Sequence, residues 1–267
     1  ACDIEILFDN KLHLFNNNLK LMGLNNFKFI PKALMFHHFH KNTQDKYVKN
    51  SLNSQDFEKI IKKIGKKNIL SADLWFEKFK SQSLKKNEYC FTFDDGLKSQ
   101  FRIALPILKK YNIKCFWFIF SSIFNKEYDQ NEINKYFYTK SFKNFSDFFY
   151  YFKNELNSFK KKNHFLKPLH QKKANNYLKK FKFYTEDEKL YRYLRDFVLT
   201  KKEFLVIHKK LFKKFKFSEK KVVKKLWISK EDLKKIINLR HVIGLHSHSH
   251  SSNITDKKYY GQYLEYK

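Results

Sequence analysis

Arginine is nearly absent from this strongly basic chain. Arg102, Arg192, Arg195 and Arg240 are the only arginines among 56 basic residues, which face 26 acidic ones for a formal net charge of +30. Arginine's planar fork is the group that reads phosphates and base edges through paired hydrogen bonds. Lysine alone gives diffuse attraction, so the charge marks no specific nucleic-acid site and reads as a solvated surface. It accompanies an excess of Asn, Phe, Ile and Tyr, with only five glycines and three prolines in 267 residues. Cysteine is scarce too. Cys2, Cys90 and Cys115 are odd in number and follow no metal-ligand spacing, so there is no disulfide framework, and a reducing compartment fits. No apolar run approaches the ~18 residues of a membrane span, and no signal-peptide pattern opens the chain. The visible part reads as cytoplasmic. The chain starts "ACDIEILF" without Met, so a lost N-terminus that carried an export signal is compatible with this reading.

What is present is apolar and patterned. Aromatic residues make up 19% and hydrophobic residues 42% of the chain, enough for one large domain or two small ones. Residues 1–31 form a segment of unclear role. From Lys32 the texture sharpens: "KALMF" (Lys32–Phe36) reads as a buried strand, ending at His37, His38 and His40. Phe57, Ile60, Ile61 and Ile64 recur at helical spacing, with Ser54 as N-cap and Gly65 as stop. A second helix starts at Ser71 or Asp73 and runs through Phe79. "EYCFTF" (Glu88–Phe93) is a strand, followed by a helix through Phe101, Leu105 and Leu108 with Pro106 near its first turns. Asn112 suits a left-handed stop, and "KCFWFIF" (Lys114–Phe120) is a continuous apolar run of the parallel-sheet kind. Alternating strands and helices predict an α/β fold over 32–120.

Residues 121–226 differ. Glycine is missing from Gly96 to Gly244, and Lys alternates with Phe, Tyr and Leu at helical intervals. A mainly helical insertion follows, its aromatic stripes facing a core. In 227–267 the α/β pattern resumes, with Ser229 and Asp232 as a capping box, an apolar face of Leu233, Ile236 and Ile237, and a strand "HVIGLH" (His241–His246). The strand count is about five.

Two strand ends carry chemistry. Asp94 and Asp95 close one strand, and "HSHSH" (His246–His250) closes another. Adjacent carboxylates repel and call for a cation; in a parallel sheet, residues at the carboxyl ends of strands share one rim. His246 and His250, four apart, fall on one side of a single helical turn. Imidazole nitrogen with carboxylate oxygen suits zinc or a similar divalent ion. Taken singly, "DDG" also reads as a turn and H-x-x-x-H as a surface coincidence.

In that order, "TFDDG" (Thr92–Gly96) and "HSHSH" resemble the first and second motifs of the polysaccharide deacetylase family, also called the NodB-homology domain or carbohydrate esterase family 4. The resemblance extends over Lys32–Phe120 and Leu226–Ser251. It implies a distorted (β/α) barrel of about seven strands, here incomplete and interrupted by the insertion. It implies Asp94 as catalytic base and Asp95, His246 and His250 as ligands of a divalent metal, zinc above all. Ser247 then steadies the loop, and His248, with no family role, reads as solvent-facing. His37, which ends a neighbouring strand, is a candidate for lining the same rim on geometry alone. The implied reaction is hydrolysis of the N-acetyl group of an amino sugar in a glycan or glycan precursor. The family's third motif brings an Arg and a Pro, and its Leu-x-His supplies a general acid. "SSNITDKKYYGQYLEYK" after His250 contains none of these, so the expectation is a chain cut short at its C-terminus. Two alternatives stay open: the same metal site acting on a formamide or cyclic imide, and a catalytically incomplete glycan-binding module.

Overall fold

The computed structural model describes residues 31–160, 168–251, 254 and 257–267. The N-terminal segment therefore lies outside the described residues, save for Pro31. The described residues form two compact units, one from those up to Asp129 together with those from Val223 onward, the other from those between Gln130 and Val222.

The first unit is a mixed α/β structure around four parallel strands, β1 (Lys32–Phe36), β2 (Tyr89–Asp94), β3 (Phe116–Ile119) and β4 (Val242–Leu245), lying side by side in that order. Sequence order equals spatial order, so each neighbour is reached by a crossover carrying helices. The helix Ser54–Ile64 begins one residue earlier than the sequence suggested. Asn53, not Ser54, is its cap, its side chain accepting from the Asp56 N–H at 2.8 Å. Gly65, at φ 82°, ends it. Ser71 caps the helix Ala72–Lys80. Ser229 and Asp232 do form a capping box ahead of the helix Lys230–Asn238. That helix buries Ile236 but leaves Ile237 half exposed, so its buried face is narrower than the one read from the sequence.

β2 is sandwiched on both faces. Phe91 and Phe93 are fully buried: Phe91 meets Phe36 edge-on, Phe93 meets Phe57 edge-on, and Phe93 stacks on Trp117 at a centroid distance of 4.7 Å. Such a core is worth about 3–5 kcal/mol per large aromatic removed.

The strand count falls from the expected five to four among the described residues. Ile69, the middle of the short "NIL" run, makes a single parallel bridge to Tyr89 and no ladder. β1 and β4 pair with one neighbour each, so these four strands make an open sheet and do not by themselves close a barrel.

The second unit is helical: Gln130–Ser141, Phe145–Lys160, Pro168–Tyr177, Glu186–Tyr193 and Lys201–Lys214. Thr185 with Glu188 and Thr200 with Glu203 are reciprocal capping boxes, each satisfying two N–H groups that a helix start leaves open. Phe137, Phe148, Phe149 and Phe152 are fully buried. These four rings are core, while Tyr150, Tyr177, Phe181, Phe183 and Phe197 are exposed.

Candidate metal centre

Register brings the two motifs to one rim. Asp94 lies opposite Phe118, and Phe118 lies opposite Gly244; one residue further, Ile119 faces Leu245. The ladder continues with His246 N–H donating to the Ile119 carbonyl at 3.1 Å. Asp95 and His246 are therefore the first residues past β2 and β4, two strand spacings or roughly 10 Å apart in the backbone. Their side chains close that gap. On the other flank Phe36 faces Phe93, which sets His37 beside Asp94.

Asp95 is the centre of the cluster. Its Oδ1 lies 3.3 Å from His246 Nε2 and 3.0 Å from His250 Nε2, and its Oδ2 lies 4.0 Å from His37 Nε2. One donor atom each from Asp95, His246 and His250 fits within a 4.8 Å span. Asp95 Oδ1 is buried, yet neither nitrogen meets it at a hydrogen-bonding angle. Three electron-rich atoms converging in this way, with a buried oxygen left over, fit a divalent cation. The N₂O set suits zinc or a similar borderline ion.

Asp94 behaves differently from its neighbour. It is buried, and its Oδ1 has no hydrogen-bond partner. Burial, reinforced by the Asp95 carboxylate and only partly offset by His246 and His250, raises its pKa to about 6. Burial acts on Asp95 too, but there the two imidazoles and His37 outweigh it and hold the carboxyl well below its ordinary range. Two adjacent carboxyl groups are thus driven apart, the pattern that separates a proton acceptor from a ligand. At His250, burial disfavours the charged ring, but Asp129 and Asp95 prevail and raise it to about 10. "DDG" is a turn as well as a site: Asp95 and Gly96 both have positive φ, 72° and 60°.

The histidines converge, but not on a helical turn. Residues 246–250 form an irregular loop in which Ser247 and His250 adopt φ of 62° and 53°. The rings of His246 and His250 lie 5.1 Å apart. Ser247 is buried, and its Oγ accepts from the His250 N–H at 3.2 Å while its carbonyl accepts from Ser121 N–H at 3.3 Å. His248 does not face solvent freely. It is half-buried, its Nδ1 2.8 Å from Ser121 Oγ, because the loop is laid against the start of the segment after β3.

Several residues with no sequence signal shape the site. Gln100 is fully buried, and its Nε2 donates to the carbonyls of His37 (2.9 Å) and Asp94 (2.6 Å), tying two strand ends together. Glu265, from the helix Tyr259–Tyr266, accepts from the N–H groups of His248 and Ser249 at 3.1 and 2.8 Å. Asp129 meets His250 Nδ1 at 3.1 Å. None belongs to a recognisable spacing, so only the fold reveals them. Cys90 in β2 and Cys115 just before β3, by contrast, are buried free thiols. No helix of the described residues is long and apolar enough to cross a membrane.

No family model and no curated protein matches the chain. Among solved structures, a de-N-acetylase from Aggregatibacter actinomycetemcomitans is similar at 18% identity, covering 35% of this chain and 38% of that one, with a TM-score of 0.31. The Streptococcus pyogenes deacetylase PplD, in complex with acetate, is similar at 22% identity over 36% and 45%, with a TM-score of 0.31. The BpsB deacetylase domain from Bordetella bronchiseptica is similar at 18% identity over 36% and 39%, with a TM-score of 0.27. The chain spans less than half the length of each of these.

Proposed function

We propose that the rim is the metal site of a hydrolase that removes the N-acetyl group from an amino sugar in a glycan or glycan precursor. One observation carries this reading: three metal-type donors meet within 4.8 Å beside a buried, unpartnered carboxyl whose pKa is about 6. The resemblance of "TFDDG" and "HSHSH" to the polysaccharide deacetylase motifs names the substrate class.

In this reading Asp95, His246 and His250 hold the ion, with zinc favoured by the donor set. A bound zinc supplies Lewis acidity, easing the ionisation of water and polarising a carbonyl. Asp94 is the base. Its Oδ1, unpartnered and shielded, accepts the proton of the attacking water, and a pKa near 6 keeps it mostly ionised at neutral pH while leaving it a useful acceptor. Gln100 fixes the Asp94 backbone, Ser247 braces the loop between the two histidines, and His37 lies beside Asp95.

The experiment is zinc titration of the full chain, with acetate release from N-acetylated chito-oligosaccharides measured in parallel and formylated amino sugars as the competing substrate. About one zinc per chain is expected, together with acetate release abolished by a chelator and restored by zinc. Asp94→Asn should lower kcat roughly 10²- to 10⁴-fold while zinc still binds. Unchanged acetate release by Asp94→Asn sinks the assignment of the base, and faster turnover of the formyl sugars transfers the site to a different amide.

A further inference from the structure

His250 is gripped from several directions. Its Nε2 faces Asp95 Oδ1 at 3.0 Å, its Nδ1 faces Asp129 Oδ2 at 3.1 Å, and its ring lies flat against Phe120, with centroids 5.0 Å apart and planes at 14°. Phe120 is itself buried and packed edge-on against Trp227. The backbone of His250 is fixed too, through its N–H to Ser247 Oγ. Rotation about its side-chain bonds would break the stack and the Asp129 contact together.

An imidazole binds a metal through one nitrogen only when that nitrogen is free of its proton. The proton must then sit on the other nitrogen, and a carboxylate there holds it in place, orients the ring and makes the free nitrogen a stronger donor. At His250 the carboxylate is Asp129. The contact joins residues 121 positions apart in sequence, so no motif encodes it.

We propose that Asp129 is the positioning residue of the metal centre. It keeps the His250 proton on Nδ1 and aims Nε2 at the space shared with Asp95 and His246. The inference rests on the reading of that cluster as a metal site and goes beyond it by assigning a residue outside both motifs. Asp129 touches neither substrate nor the reacting atoms; it acts through His250.

The test compares the full-length wild type with Asp129→Ala, Asp129→Asn and Asp129→Glu. Two quantities are measured: zinc affinity, by competition with a chromophoric chelator, and the His250 ring Nδ1–H proton signal in NMR, assigned by its loss in His250→Gln. Asp129→Ala should weaken zinc binding about 10- to 100-fold and remove the protected Nδ1–H signal. Asp129→Asn, which keeps an acceptor oxygen, should fall between, and Asp129→Glu should recover much of the affinity. Zinc binding by Asp129→Ala within twofold of wild type overturns the proposal. If Asp129→Ala does not fold, the Asn and Glu variants decide: equal losses in both overturn the graded order. If wild type takes up no zinc, the metal reading itself has failed. The Nδ1–H signal then judges the orientation alone, and its persistence in Asp129→Ala overturns that as well.

Discussion

Gly244 shows how a single residue can be demanded by a neighbour's ring rather than by its own backbone. It sits in β4 opposite Phe118, and a Cβ placed there would fall well inside 3.0 Å of the Phe118 ring carbons Cδ1 and Cε1. Gly244→Ala should therefore destabilise the chain by about 1–3 kcal/mol, an overpacking cost, read from urea unfolding. In a Phe118→Leu background the same change should cost less, with a coupling of roughly 0.5–3 kcal/mol. Equal costs in both backgrounds would mean the ring is not the obstacle. The sequence shows a glycine in a strand, but not the ring that requires it. At the site, legibility follows the same line. That Asp94, Asp95, His246 and His250 would be neighbours is legible from carboxylate pairs and histidine spacings at strand ends, and the fold brings them together. Asp129, Gln100 and Glu265 were not legible, since each acts through a contact made only by the fold. His248 was misread as solvent-facing because its partner, Ser121, lies at the far end of the insertion.

Strands were the most legible elements, their apolar runs being too continuous for amphipathic helices, and their ends were the least. The run Lys114–Phe120 reads as one strand, yet β3 begins only at Phe116. Cys115 N–H donates to the His241 side chain, at Nδ1, at 3.0 Å, while its carbonyl accepts from Val242 N–H at 3.0 Å. The helix through Phe101 likewise opens as a wide turn, Gln100–Ala104, in which Leu105 N–H reaches back to the Gln100 carbonyl. Pro106 has no N–H to offer Arg102, so a regular helical bond is unavailable at that point. The widened turn carries Gln100, which ties the ends of β1 and β2. The histidine loop is irregular, and besides Asp129 at His250 a second carboxylate, Glu265, holds its backbone. Glu265 is buried; burial opposes its ionisation, but Lys257 and the Ser249 hydroxyl and N–H overcome this and lower its pKa to about 2. Glu265→Ala should raise amide hydrogen exchange at His248 and Ser249 on the order of tenfold or more, leaving Phe93 in β2 unchanged. Exchange that rises equally at Phe93 would point to global destabilisation, and no change at His248 would show that the loop does not depend on Glu265.

Across the whole chain, a net charge of +30 and buried neutral histidines combine to make acid stability the weak point. Among the described residues each compact unit holds at least one such ring, and the two lowered furthest are His208 and His241. His208 is fully buried in the helical unit, its Nδ1 donating to the Phe204 carbonyl at 2.8 Å and its Nε2 3.0 Å from the Tyr191 hydroxyl. His241 is buried at the start of β4, where its Nδ1 must stay unprotonated to accept from Cys115. Burial lowers both to about 4, with Lys114 adding to the effect at His241. Above pH ~6.5, folded and unfolded chains both keep these rings neutral, and they contribute no slope. As pH falls from there towards 4, the unfolded chain takes up protons that the folded chain refuses, so stability drops, by on the order of 3 kcal/mol per ring once pH reaches the folded value. Asp94, raised to about 6, works the other way below that pH and offsets part of the loss. The test is therefore a difference: urea midpoints from pH 8 to pH 4 for wild type, His208→Asn and His241→Asn. Each variant should start less stable and show a shallower fall below pH 6.5, with the Asp94 contribution cancelling in the comparison. Added salt separates the two causes, because it screens repulsion among surface lysines but hardly reaches a buried ring. At 0.5 M salt all curves should rise while the difference in slope persists. A difference that vanishes in salt would assign the acid lability to the lysine surface instead of the two histidines.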